Sequence, residues 1–392
     1  MRYKSKANDI LRIGISAIHV VPGKSGSHEP YMTNLVRAIA SLKTRHSFTL
    51  FVTKTNLRLF ENLGQKFNYV VYPSVLGKSF SRIISEQGIL PLETRKRNLD
   101  VLHYGGTAGS FLMRDRDVVT IHHDSMTQRG SMSKIKILYY EAVLRFDRRA
   151  GVIIVPTAAY GEQLAKYYGY RHSQIQPVHH GAAPIFRTQS EHEVRSAREK
   201  WGIEDISILT ITNTLPHKNV RNLLLAYELL HRRYGLDPQL VMVGNVNPQK
   251  VEKLAIELAN NPQRMQNRIK IIPFLPQDQL PGIYAAASIF TFISLTETFG
   301  MPLIEAMACG LPIVASDIPV HREVLHGAAR MVPPKNADEI AKAIFEVLTD
   351  NELNAGLRKA SLHRSKDFSW ENTASQTIRV YERAWVMSQE RI

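Results

Sequence analysis

Two carboxylates eight positions apart, Glu297 and Glu305, bracket a loop-to-helix junction in the segment Glu297-Thr298-Phe299-Gly300-Met301-Pro302-Leu303-Ile304-Glu305. The apolar run Ile289-Phe290-Thr291-Phe292-Ile293 before it reads as a buried strand. Pro302 has the fixed φ of a first helical position, and Gly310 then Pro312 supply the stop, so a short helix is expected from about Pro302 to Cys309. The free N–H groups and dipole of such a helix would face Thr298 to Met301, a place for a phosphate. An ionised carboxylate only accepts hydrogen bonds, so a pair of them beside an anion site suits gripping the hydroxyls of a ribose or a hexose. The plainer reading is a helix-start acid favouring the dipole plus a loop acid.

Three other places carry chemistry. In Thr212-Asn213-Thr214-Leu215-Pro216-His217-Lys218-Asn219, Asn219 is expected to cap a helix from Val220 to Leu230, which leaves Lys218 just outside a positive helix end. A cation there is unfavourable for the helix alone and makes sense if an anion binds between them; otherwise it is a surface lysine. His122 follows the apolar run Val118 to Ile121, at a strand's C-terminal end, where open α/β sheets place ligands. Gly23 and Gly26 lie in a loop between the first strand and first helix, where glycines let backbone approach an anion or sugar. The dinucleotide fingerprint Gly-x-Gly-x-x-Gly is absent. Asp115-Arg116-Asp117 precedes a strand and reads as a solvated turn, and the adjacent pairs His122-His123 and His179-His180 point to opposite faces of a strand, so no catalytic metal is expected.

The elements that must position these residues alternate from end to end. Apolar runs at Leu11–Ile15, Phe48–Val52, Tyr69–Tyr72, Val101–His103, Val118–Ile121 and Val152–Val155, and again at Ile206–Ile211, Leu240–Gly244 and Ile269–Ile272, alternate with helical patterns. Such alternation predicts an α/β chain of two doubly wound, Rossmann-like domains. The polar stretch around Gln189 marks the boundary: residues 1–187 form the first domain and 188–372 the second, with a last helix ending near Met387 whose apolar positions Ile378, Val380, Tyr381 and Trp385 suit docking. At 392 residues each domain can bury its own core, and one cysteine, Cys309, points to a reducing compartment. No run of eighteen apolar residues exists and Met1 to Asp9 lacks a signal peptide's apolar core, so a cytoplasmic location is expected. Charge is lopsided: residues 1–150 carry 24 Lys and Arg against 11 Asp and Glu, residues 151–392 carry 26 against 24. The first half would attract an anionic partner such as a lipid headgroup surface or a phosphorylated acceptor. Nucleic acid is disfavoured, since the cations are scattered, with Arg95-Lys96-Arg97 the longest run, and no nucleic-acid motif accompanies them.

The spacing Glu-x7-Glu, in the setting Glu-x-Phe-Gly-x-Pro-x-x-Glu-Ala-Met-Ala-x-Gly-x-Pro and continuing through Ile313-Val314-Ala315-Ser316-Asp317 and Arg322-Glu323-Val324, resembles the donor-site signature of the family 4 retaining glycosyltransferases. The resemblance implies the GT-B fold, two Rossmann-like domains facing a cleft, with the final helix, about residues 373–392, crossing back to the first domain. It implies transfer of a hexose from a nucleoside diphosphate sugar to an acceptor hydroxyl with retention and without a metal, in glycan, polysaccharide or glycolipid assembly; a peripheral place at the cytoplasmic face of the membrane would suit the basic first half. Lys218 would take the donor diphosphate, Glu297 and His122 sugar hydroxyls, and Glu305 the ribose diol. Gly23, Gly26, Asn213, Phe299, Gly300, Met301, Pro302 and Leu303 would line the donor site. The family commonly has an arginine where this chain has Asn213, so either Lys218 works with another cation, such as Arg221, or the diphosphate is held less electrostatically. Glu86-Gln87, Leu90-Pro91, Leu102-His103 and Gly327-Ala328-Ala329 most resemble bacterial mannosyl- or rhamnosyl-type transferases. The acceptor is expected to be a glycan, a lipid-linked molecule or a small molecule, with an anionic membrane as a compatible contact of the basic first half. The alternatives are an epimerase or phosphorylase of the same fold and, less favoured, a nucleic-acid-binding protein.

Overall fold

The computed structural model describes residues 10–26, 28–77, 83–106, 109–122 and 134–390. His123 and Asp124, which leave a one-residue ambiguity around His122, lie outside the described residues. The chain divides into two compact units, one made of residues up to Gly181 plus Ser369 onward, the other of Ala182–Phe368.

In the first unit seven strands, β1 (Arg12–Ser16), β2 (Ser47–Thr53), β3 (Phe67–Tyr72), β4 (Val101–Tyr104), β5 (Val118–Thr120), β6 (Val152–Val155) and β7 (Ile175–Pro177), pair in the order β3-β2-β1-β4-β5-β6-β7. Every pairing is parallel. A parallel sheet is covered on both faces, which is why its central strands β4, β5 and β6 are mostly apolar and buried at every position. The last helix, Trp370–Gln389, belongs to this unit: it packs on the helix His28–Ser41 and on β4 to β6. Val380 and Tyr381 are buried there, Ile378 and Trp385 half-buried.

The second unit holds β8 (Ser207–Ile211), β9 (Gln239–Val243), β10 (Ile269–Ile272), β11 (Ile289–Phe292), β12 (Ile313–Ser316) and β13 (Arg330–Val332), all parallel, in the order β10-β9-β8-β11-β12-β13. The chain leaves β8 toward β9 on one side and returns as β11 on the other. The order therefore reverses between β8 and β11, and the loops after these two strands flank the crevice where doubly wound sheets hold ligands. The helix after β8 runs Val220–Tyr234, a turn longer than expected, because His231-Arg232-Arg233 sits favourably at a helix C-terminus and only Gly235, with φ of 67°, ends it.

Candidate functional site

The loop after β8 is fastened to the loop after β11. Asn219 adopts φ of 57°, a left-handed conformation, and makes no capping bond, contrary to the expectation from its place before a helix. Its amide instead donates to the carbonyls of Ile293 (3.0 Å) and Pro334 (2.6 Å), while its oxygen accepts from Asn222 (2.6 Å). Two carbonyls, just past the ends of β11 and β13, outcompete the local cap. A second tie runs from Leu295 N to the His217 carbonyl (2.8 Å).

These ties bring Lys218 and Glu297 together. Lys218 Nζ lies 2.5 Å from Glu297 Oε1, with the two side chains only 16% and 12% exposed, and 5.1 Å above the Phe292 ring. Burial pushes the Glu297 carboxyl up, but the Lys218 ammonium and a hydrogen bond from Ser294 outweigh it and hold its pKa below the ordinary value. Beneath the pair, His321 stacks at a tilt on Phe292 (5.4 Å) and is fully buried. Its Nδ1 donates to the Ser316 carbonyl (3.0 Å), fixing the tautomer, and burial lowers its pKa to about 4, so the ring is neutral. Asn213 turns its side chain back to accept from Leu215 N (2.9 Å), shaping the loop. Arg221 does not join Lys218; it is exposed and paired with Glu257 (2.7 Å).

Beyond Glu297 the backbone turns at Gly300, φ of 93°, into the helix Met301–Ala308. The anion-binding amides expected there are fewer than in an ordinary first turn. Pro302 has no N–H, and Leu303 N donates back to the Gly300 carbonyl (2.9 Å). The side chains of Phe299 and Leu303 are in the core, Phe299 edge-on to Phe368 (6.0 Å), so only their backbone faces the loop. Glu305 falls in the second turn and is buried, accepting from Tyr284 Oη (2.8 Å). Burial raises its pKa to about 7 against the hydrogen bonds of Tyr284 and Gln277, so it is not simply an ionised acceptor. Cys309 is a buried thiol pushed up to about 12, inert and structural.

In the first unit, Gly23 (φ 69°) and Gly26 (φ 53°) are left-handed turn residues with open space where a side chain would start. Glycine is needed there for conformation and not for a close approach. The Gly23 N–H is occupied, donating to Glu29 (2.7 Å). His122 follows β5 and is buried with its ring centre 3.9 Å from that of Tyr31, 5.4 Å from His28 and 5.2 Å from His180. Burial, with the fields of His180, His28, His19 and His103, holds its pKa well below the ordinary imidazole value. Below the ring, Thr120 Oγ1 bonds His103 Nε2 (2.6 Å), whose Nδ1 bonds Tyr381 of the last helix (2.8 Å). Asp117 is buried, accepting from Leu102 N (3.0 Å) and bound to Arg114 (2.6 Å), a turn anchor. Sequence reasoning missed Tyr284, Ser294 and His321, none of which carries a local mark.

Residues 193–364 match the family model described as glycosyl transferases group 1, and residues 28–184 that of glycosyltransferase family 4. The chain is 27% identical over 254 residues to the serotype-specific mannosyltransferase WbdA of Escherichia coli, covering 64% of this chain but only 31% of that protein. It is 27% identical over 271 residues to O-antigen chain mannosyltransferase B of Escherichia coli, covering 68% and 70% of the two. Among solved structures, Anabaena HepE in complex with UDP superposes with a TM-score of 0.69 at 16% identity, over 94% of this chain and 99% of that one.

Proposed function

The chain belongs to glycosyltransferase family 4, and on that premise we propose that it transfers a hexose, with mannose the favoured class, from a nucleoside diphosphate sugar to an acceptor hydroxyl. The observation that carries the reading is the Lys218–Glu297 pair, 2.5 Å apart at the β8–β11 switch point. One cation and one acceptor side by side suit a substrate that presents a phosphate next to sugar hydroxyls. The leaving diphosphate gathers negative charge, which Lys218 and the Gly300–Met301 backbone would stabilise, with no metal needed. Glu297 would hold sugar hydroxyls. Glu305, with its pKa near 7, would take the ribose diol, whose donors favour the ionised carboxylate. For the first unit, the reading gives the neutral imidazole of His122 a sugar hydroxyl. Attack on the face of departure, with the leaving phosphate accepting the acceptor's proton, gives retention.

The curated mannosyltransferases that the chain resembles, and a neighbour of similar fold that holds UDP, support a nucleotide-sugar donor and a glycan or lipid-linked acceptor. The basic first half suits an acceptor presented at an anionic membrane face. A thermal-shift panel of nucleotide sugars, followed by anomeric analysis of the product, tests the reading. One donor is expected to raise the midpoint of the wild type and not of Glu297→Gln with Lys218→Met. No shift from any donor, or an inverted product, would sink it. Conversion of the donor to another sugar without acceptor would favour an epimerase instead.

A further inference from the structure

Beside the Lys218–Glu297 pair, Nε2 of His321 is a buried atom with no hydrogen-bond partner among the described residues. His321 lies in the first turn of the helix Pro319–Leu325 and is wholly buried. Its Nδ1–H is spent on the Ser316 carbonyl (3.0 Å), so Nε2 carries no proton and offers only a lone pair. An unmade buried acceptor is costly, and a phenylalanine in its place would avoid the cost. The ring packs at a tilt on Phe292 (5.4 Å between centres), and Lys218 Nζ lies 5.1 Å from the centre of that same Phe292 ring. Two charges act on the imidazole: the Glu297 carboxylate favours a proton on it and the Lys218 ammonium opposes one. The other charged groups nearby are turned elsewhere. Arg322 and Glu323 stand about 100° and 200° further round the helix, Arg322 paired with Asp317 (2.5 Å). Arg364, at the helix's C-terminal end, is spent on the Glu323 and Val324 carbonyls and on Asp367.

With one ammonium against one carboxylate, the pair is neutral and the imidazole beneath it has no reason to charge. A diphosphate changes that. Its negative charge draws the Lys218 ammonium away from Glu297, and leaves a carboxylate that is largely out of water with less cation than before. Of the groups that act on Glu297, which are Lys218, Ser294 and His321, only Lys218 and His321 can be cations. We propose that His321 takes up a proton when a diphosphate-bearing donor engages Lys218, so that the imidazolium replaces the ammonium as the partner of Glu297. The proton comes from solvent and rests on Nε2, and no other bond is made or broken. Glu297 thereby stays ionised for the sugar hydroxyls while Lys218 serves the phosphate. His321 is a positioning residue, acting through Glu297, and its ligand is the one given by the proposed function, on which the inference rests.

Isothermal titration of the full chain with GDP-mannose and with UDP-glucose, in buffers of different ionisation enthalpy, counts the protons taken up on binding. Glu305 would release a proton in the same event, so the readout is the difference between wild type and His321→Asn, whose amide can still donate to the Ser316 carbonyl. Near pH 6.5 the wild type is expected to take up close to one proton more than the variant. A pKa raised by binding strengthens the complex fully below the free value, about 4, and that gain is lost as pH rises through the bound value. The Kd of the wild type relative to His321→Asn should therefore climb by up to about tenfold per pH unit between the two values. Equal proton counts, or a Kd ratio that stays flat from pH 5 to 8, would overturn the proposal and leave the donor reading standing. Binding of neither nucleotide sugar would overturn both. If His321→Asn lacks a cooperative melt, His321→Phe, which keeps the bulk of the ring, takes its place in the comparison.

Discussion

Lys218 and Glu297 hold each other largely out of water, so changing one does two things at once. Lys218→Met leaves a carboxylate without its cation and should cost about 3–5 kcal/mol of stability, as for other buried pairs. Adding Glu297→Gln removes that stranded charge, and should restore most of the thermal midpoint but none of the turnover. Under the proposed mechanism both proteins lose turnover by about 10²–10³-fold. Recovery of activity in the double variant would mean the pair is only structural. Glu305 makes a prediction about pH. Its folded pKa, about 7, stands above the ordinary 4.5, so its contribution is fully present below about pH 4.5 and is lost as pH rises through 7. The shift corresponds to about 3 kcal/mol at high pH. Thermal melts from pH 5 to 8 should therefore decline more steeply for the wild type than for Glu305→Gln, and parallel curves would show that the carboxyl does not titrate there.

Two loops carry the site, and each depends on a residue in a left-handed conformation. Gly300→Ala forces φ of 93° on a side chain and sets its Cβ 3.0 Å from Leu303, at a cost of roughly 1–3 kcal/mol, with loss of donor-induced stabilisation. Asn219→Gly keeps the backbone conformation and removes only the tie between the loops. It should lower the thermal midpoint less than Asn219→Ala, yet raise the KM for donor to the same degree. What the sequence discloses and what it hides divide along the same line. The strands are legible because a parallel sheet makes them apolar on both faces, and the short helix is legible from Pro302 and Gly310. The ends and ties are not. His231-Arg232-Arg233 reads as a stop because it is polar, although cations suit a helix C-terminus. Asn219 reads as a cap because its true partners, Ile293 and Pro334, lie 74 and 115 residues away. Lys218 and Glu297 can each be picked out locally, but their contact depends on β8 pairing with β11, a tertiary fact. His321 is one histidine beside the charged Arg322 and Glu323 until the fold sets it under Phe292.

At the scale of the molecule, the first unit is assembled from two ends of the chain. Residues 370–389 complete it, placing Tyr381 against His103 and Trp370 against His180 (6.1 Å, stacked). Deleting residues 369–392 should thus leave residues 1–181 unable to form a stable sheet, while Ala182–Phe368 keeps a cooperative melt of its own. Calorimetry of the truncated chain with one surviving transition would fit, and two undiminished transitions would not. The same construction sets a timetable for synthesis. Residues up to Gly181 cannot finish folding until residues 370–389 have left the ribosome, whereas Ala182–Phe368 can close on itself earlier. A chain lacking residues 370–389 would carry an exposed, half-built sheet, a ready mark for proteases.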